Sequence, residues 1–209
     1  SRYIVAALYV YEHQETEDTI LQLLKKAIER YGSCDIFYCD RGGPYMGKKL
    51  KRTMELIGCK VMHTQKRDAS AKGKSEIIMK YFYEKIDSEL MVSSTVFTIE
   101  QANQYLNALL TMDYHKDIHT VTGEIPGERY FSFPGKYRRF VSSEAISKIF
   151  LPYAKAYVSK TGLIRRNKKD YLVPESRLNG TYVEVRWDPL DTQKVYVWHK
   201  DKYIGEAFL

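Results

Sequence analysis

A chain of 209 residues and 24.5 kDa, 44% hydrophobic, is long enough for one sizeable core and a smaller module, so two domains are expected. No run of about eighteen apolar residues crosses a membrane and Ser1 opens no signal sequence, which points to a soluble, cytoplasmic protein. The net charge of +7 favours an anionic partner, and the three cysteines, Cys34, Cys39 and Cys59, lack a histidine at zinc-finger spacing and read as reduced core residues.

Along the chain, Tyr3 to Tyr11 is rich in β-branched and aromatic residues and predicts a strand. A helix follows, with Glu17 and Asp18 near its start, Ile20, Leu21, Leu24 and Ile28 at helical spacing, and Gly32 to stop it. Ile36, Phe37, Tyr38 and Cys39 form a continuous apolar run of the kind buried in a mixed or parallel sheet. Asp40 therefore emerges at a strand's carboxyl end, where sites in open α/β sheets gather, and opens a glycine turn in CDRGGPY. A helix over about 47–57 and a short strand around Val61 come next, separated by Gly58. Residues 64–75 are polar and small and read as a mobile loop or a solvated connector. Glu76, in KGKSEIIMKYF, lies in the first turn of a helix over about 74–90 that turns Ile77, Tyr81 and Leu90 toward the core.

Thirty-five residues separate Asp40 from Glu76. Carboxylates on rigid elements are the hard oxygen ligands that Mg²⁺ takes, and paired ions can ready the attacking oxygen of a phosphodiester displacement while stabilising the leaving one. The same spacing arises by chance in a chain with 26 acidic residues, so the local contexts carry the reading. Lys80, one turn after Glu76, is placed either as its exposed ion-pair partner or on DNA phosphate, with Lys72 and Lys74 beside it. Arg41 and the cluster Lys48, Lys49, Lys51 and Arg52 reach DNA or form a solvated face.

A helix is predicted over about 99–112, with Ala102, Tyr105, Leu106 and Leu109 at core spacing. His115 and His119 are four apart without the Glu of HExxH, so a structural role is expected for both, and His63 and His13 read as satisfied polar groups. A connecting helix over about 140–150 precedes five strand-like runs, at 153–158, 171–173, 182–187, 195–198 and 203–208, which suggest a small SH3-like barrel. The expected division is a core over 1–135, a linker helix over 136–150 and the barrel over 151–209. From 136 to 209 there are 15 Lys and Arg against 8 Asp and Glu, whereas the first 135 residues hold 18 of each. A basic tail suits phosphate binding, with Arg165, Arg166, Lys168 and Lys169 as its best candidates, while Trp187 and Trp198 are expected in the barrel core.

The stretch from SRYIVAALYVY through CDRGGPYMGKKL and GCKVMHTQKRDASAKGKSE resembles the DDE transposase and retroviral integrase superfamily, over most of the first 130 residues. The downstream YHKDIHT, GEIPGERY and VEVRWDPLD resemble bacterial transposases of the Mu and insertion-sequence type, whose core carries a small carboxy-terminal β-barrel. The resemblance implies an RNase H-like α/β core followed by that barrel, with Asp40 and Glu76 as the second aspartate and the glutamate of the catalytic set. It also implies Mg²⁺ or Mn²⁺, two ions in the complete site, cleavage at transposon ends, and joining of the freed 3′-hydroxyls to target DNA. Multimers on DNA, accessory transposition proteins and residence on the nucleoid are implied in the same way, as are a packing role for His119 and a P-x-x-R context for Pro126 and Arg129.

The family's first aspartate has no counterpart here. Glu12, Glu15 and Asp18 follow the first predicted strand and are expected at the wrong end of the sheet to replace it. The chain is accordingly expected to be an inactive fragment of a longer transposase lacking the first strand or strands. The competing readings are a non-catalytic DNA-binding or assembly module derived from a transposase, and a structure-specific nuclease of the same fold.

Overall fold

The computed structural model describes residues 1–10, 15–65, 70–93, 98–133 and 138–209. They form two compact units, Ser1–Val141 and Ser142–Leu209.

In the first unit, helix α1 (Glu17–Tyr31) starts where the Thr16 side chain accepts the Thr19 N–H, and ends at Gly32 with φ +81°. Its apolar stripe buries Ile20, Leu21, Ala27, Ile28 and Tyr31. Strands β1 (Ile36–Cys39) and β2 (Lys60–His63) pair in parallel, Ile36 opposite Lys60 and Cys39 opposite His63. Parallel pairing demands a crossover, supplied here by a 3₁₀ turn at Gly43–Met46 and helix α2 (Lys48–Leu56), which buries Leu50, Thr53 and Met54 and packs on β2. Gly58, at φ +75°, reverses the chain into β2. Helix α3 (Ser70–Ser93) contributes Phe82 and Ile86 to a core shared with Leu106 of α4 (Ile99–Ala108) and with Leu109 and Leu110. A capping box of Thr98 and Gln101 starts α4. It continues into a π-helical turn, Leu109–Tyr114, and α5 (Pro126–Ser132) follows with its proline at the helix start.

Several expectations change here. Residues 3–10 form no strand, and Tyr11 lies outside the described residues. Side chains take the backbone groups instead: the Ile4 N–H donates to His115 Nε2, while Asn103 accepts the Tyr9 N–H and donates to the Tyr9 carbonyl. The run 36–39 is not buried throughout, because successive side chains of a pleated strand point to opposite faces: Cys39 is buried, Phe37 half-buried, and Ile36 and Tyr38 are exposed. Ile77, expected in the core, is 72% exposed, and α3 packs through Ile78, Tyr81, Phe82 and Ile86 instead. The side chain of Leu90 lies outside the described residues. Cys34 is exposed, while Cys39 and Cys59 are buried.

In the second unit, α6 (Ser143–Ile149) is capped by Ser142, and the helix expected as a linker is therefore part of this unit. Six antiparallel strands follow: β3 (Tyr153–Tyr157), β4 (Leu163–Arg166), β5 (Lys169–Leu172), β6 (Tyr182–Arg186), β7 (Lys194–His199) and β8 (Lys202–Phe208). Their order, β3-β6-β7-β8-β5-β4, brings the edge strands β3 and β4 near one another in a nearly closed, barrel-like sheet. Val158, Ile164, Tyr171, Val183, Val185, Val195, Val197 and Ala207 fill it. The strand missed from sequence is β4, whose LIRR offers too short an apolar pattern, and whose turn to β5 is Asn167-Lys168 with φ +49° and +63° in place of a glycine. Arg186 is wholly buried: Glu184 accepts from it, its Nη1 donates to the Ile149 carbonyl, and its guanidinium lies over the rings of Tyr153 and Trp198.

Candidate catalytic carboxylates and nucleic-acid interface

Asp40 follows the last residue of β1, so the strand fixes its backbone and the following turn fixes its side chain. Its Oδ1 accepts the Gly42 N–H at 2.7 Å, in a space a Cβ on residue 42 would crowd. The 3₁₀ turn then folds Tyr45 back toward the strand end, where its carbonyl bonds His63 Nε2 at 2.9 Å. Burial and the negative charges of Glu15 and Asp40 push the Tyr45 hydroxyl up to about 12, and a hydrogen bond to Glu15 adds to the shift. Burial, helped by the Asp40 charge, pushes the Cys39 thiol up to about 11.

Glu15 shares Tyr45 as a neighbour with Asp40, contrary to the expectation that it stands at the wrong end of the sheet. The first turn of α1 and the start of α2 explain its position. Glu17 Oε1 accepts the Leu50 N–H at 2.6 Å, and Asp18 pairs with Lys49, which anchors the beginning of α1 against α2. Asp18 is thereby engaged in a structural pair, and Glu12 lies outside the described residues.

Glu76 is exposed on α3, and Lys80 pairs at 3.7 Å with Glu84, one turn further along, instead of with Glu76. The side chains of Lys72 and Lys74 lie outside the described residues, as do residues 66–69 of the expected loop; from Ser70 the chain is already helical. Arg41 is exposed but directed, its Nε donating to the Thr64 carbonyl at 3.0 Å. Among the described residues no group of three or more His, Cys, Asp and Glu is arranged to hold a metal ion. Asp40 and Glu76 fit a hard cation in kind, since both are oxygen donors, Asp40 half-buried just after β1 and Glu76 exposed on α3.

His63, His115 and His119 make contacts within the first unit, and His13 lies outside the described residues. His115 is buried, stacks on Tyr3 with ring centroids 3.9 Å apart, and is held below its ordinary value by burial, with the Arg30 charge adding to the effect. His119 Nδ1 accepts the Val121 N–H, and Arg129 pairs with Glu124.

In the second unit the basic residues divide by use. Arg165 faces its cross-strand neighbour Asp170 at 3.9 Å and remains exposed. Arg166 lies over Trp187, its guanidinium carbon 3.1 Å from the ring centroid, so Trp187 is a half-buried platform as well as a wall of the core. Lys169 donates to Thr192 at 2.9 Å, whereas Lys168 at the tip of the β4–β5 turn is exposed. Arg165 and Arg166 also line a groove of about 490 Å³ between the edge strands, with Ala154, Tyr157, Leu163 and Ile164. Sequence alone missed the Arg166 stack, which depends on a loop after β6 reaching the β4–β5 hairpin. Over Ser142–Leu209 the charge is 12 Lys and Arg against 8 Asp and Glu, because Lys136, Arg138 and Arg139 fall on the other side of the boundary between the units.

No helix among the described residues is long and apolar enough to cross a membrane. No curated protein matches the chain. Residues 148–206, which run from the end of α6 through β8, match the family model described as Mu transposase, C-terminal, and relate this part of the chain to Mu-type transposases.

Proposed function

We propose that this chain is part of a DNA transposase of the Mu and insertion-sequence type, with an RNase H-like catalytic region in the first unit and a phosphate-gripping SH3-like barrel in the second. The observation that carries the reading is the family match over residues 148–206, and Asp40 at the carboxyl end of a parallel strand supports it. In this reading Asp40 and Glu76 hold Mg²⁺ or Mn²⁺. Two such ions, when bound, supply Lewis-acid chemistry for 3′-end nicking and for attack of the 3′-hydroxyl on target DNA. The Gly42 N–H bonds one oxygen of Asp40 and so orients the carboxylate at the strand end. Arg165, Arg166, Lys168 and Lys169 neutralise backbone phosphates, with Arg41, Lys72, Lys74 and Lys80 serving DNA near the carboxylates.

The test is strand transfer of a pre-nicked transposon end by this chain, alone and extended to the whole native protein that contains it, in Mg²⁺ or Mn²⁺. Activity that disappears in Asp40→Asn and in Glu76→Gln supports the proposal. Activity that survives both substitutions overturns the role of the carboxylates.

A second reading, a non-catalytic DNA-binding or assembly module derived from a transposase, is favoured by the confinement of the family match to the C-terminal unit. It is the outcome if the extended protein binds transposon ends and performs no strand transfer.

A further inference from the structure

Cys34 and Cys59 lie 25 residues apart in sequence, yet their sulfurs are 3.7 Å apart. The fold creates the approach. Cys34 precedes β1 and Cys59 precedes β2, and the Lys60 N–H bonds the Asp35 carbonyl at 2.8 Å, so the two parallel strands begin side by side. Neighbouring strands stand about 4.8 Å apart, inside the range of Cα separations a disulfide spans. Arg139 braces the beginnings of the two strands: its Nη2 donates to the Cys34 carbonyl and to the Gly58 carbonyl, and its backbone pairs with Ser33.

The two thiols differ in the way that sequential thiol exchange requires. Cys34 is exposed and Cys59 buried. The two sulfurs share a hydrogen bond in which either can be the donor, and that bond, with the Arg139 guanidinium nearby, brings the Cys34 thiol down to about 6. Cys59 is correspondingly pushed up, because it keeps the shared proton while Cys34 is a thiolate. At neutral pH the accessible sulfur is therefore the nucleophile, with a second sulfur behind it.

We propose that Cys34 and Cys59 form a thiol pair that small-molecule disulfides of the glutathione type convert into an intrachain disulfide. The Cys34 thiolate attacks one sulfur of the oxidant, whose S–S bond breaks and releases one thiolate. Once Cys34 is in the mixed disulfide its negative charge is gone, so Cys59 gives its proton to solvent and attacks Cys34 Sγ. The second small thiolate then leaves. Two protein thiols are oxidised and one small disulfide is reduced to two thiols. The bond closes the loop that carries β1, Asp40 and α2, and so ties the strand bearing Asp40 to its neighbour. The inference stands on this geometry and does not depend on the transposase reading.

The experiment equilibrates the full chain in glutathione redox buffers, quenches with an alkylating agent and maps the thiols by mass spectrometry. Cys34 and Cys59 are expected to become protected together, while Cys39, buried and pushed up to about 11, stays alkylatable after unfolding. Cys59→Ser is expected to accumulate glutathione on Cys34. In the wild-type chain the rate of Cys34 alkylation should rise with a midpoint near pH 6, moving toward the ordinary thiol value of about 8.5 in Cys59→Ala. A glutathione adduct that persists on wild-type Cys34 with Cys59 still reduced overturns the proposal, as does a Cys34 inert to the oxidant. The wild-type measurement alone decides the matter should either variant fail to fold.

Discussion

Glu17 and Gly47, thirty residues apart, share one space. The Glu17 carboxylate occupies the position a Cβ on residue 47 would take, and from there accepts the Leu50 N–H at 2.6 Å at the start of α2. The helix is thus capped from another element, since Gly47 offers no side chain to do it. Glu17→Ala should cost about 1 kcal/mol, the usual worth of a cap. Gly47→Ala should destabilise the wild-type chain by expelling the carboxylate, yet be neutral or stabilising in Glu17→Ala, because the backbone at φ −63°, ψ 142° suits alanine. Urea denaturation of the four proteins checks this; equal effects of Gly47→Ala in both backgrounds would remove the shared-space account.

Arg186 tests how the second unit is held. Removing its carboxylate partner in Glu184→Ala leaves a buried guanidinium without a counter-charge from Glu184 and should cost about 3–5 kcal/mol, more than the replacement of Arg186 by Met, which removes the charge as well. Thermal melts of the two variants give the order directly. The ranking follows from Arg186 having no exposed surface, whereas a surface pair would be worth about 1 kcal/mol or less.

His115 sets a pH dependence in the first unit. Burial lowers its folded pKa, so the unfolded chain binds a proton more readily than the folded one. Stability from this group is full above the ordinary value of 6.5 and is lost as pH falls through it toward the folded value. Protonation also removes the acceptor of the Ile4 N–H. The denaturation midpoint should therefore fall between pH 7 and pH 5, and His115→Gln should flatten that slope while lowering stability at pH 7.

The Asn167-Lys168 turn separates stability from binding. Lys168 holds φ +63°, a left-handed conformation that costs a non-glycine residue roughly 1 kcal/mol. Lys168→Gly should raise stability by about that amount and, if Lys168 meets a phosphate, reduce the slope of log affinity against log salt for duplex DNA by about 0.9. Lys168→Ala, which removes the charge and keeps the strain, should match the second effect without the first.

Asp40→Asn should leave the strand end intact, because an amide oxygen can still accept the Gly42 N–H. Mn²⁺ binding, followed by electron paramagnetic resonance, should weaken at least tenfold under the proposed reading. An unchanged Mn²⁺ affinity would separate Asp40 from any metal role.

The sequence by itself determined much of the local structure. Glu17 and Asp18, the Ile20 to Ile28 stripe and Gly32 delimit α1, and a four-residue apolar run ending just before Asp40 makes β1. These are short-range effects of capping, periodicity and backbone freedom, which neighbouring residues settle among themselves. Residues 3–10 obeyed the same strand propensity and still form no strand, since a strand needs a partner backbone and His115 and Asn103, about a hundred positions away, hold theirs. Strand β4 was illegible for the opposite reason: its LIRR has little apolar pattern of its own, and pairing with β5 defines it. Only the tertiary structure decided that Glu15 reaches Tyr45 beside Asp40, that Arg166 lies on Trp187, and that Cys34 meets Cys59. Each is a meeting of residues distant in sequence, and periodicity carries no information about which distant groups the closing of a fold will bring into contact.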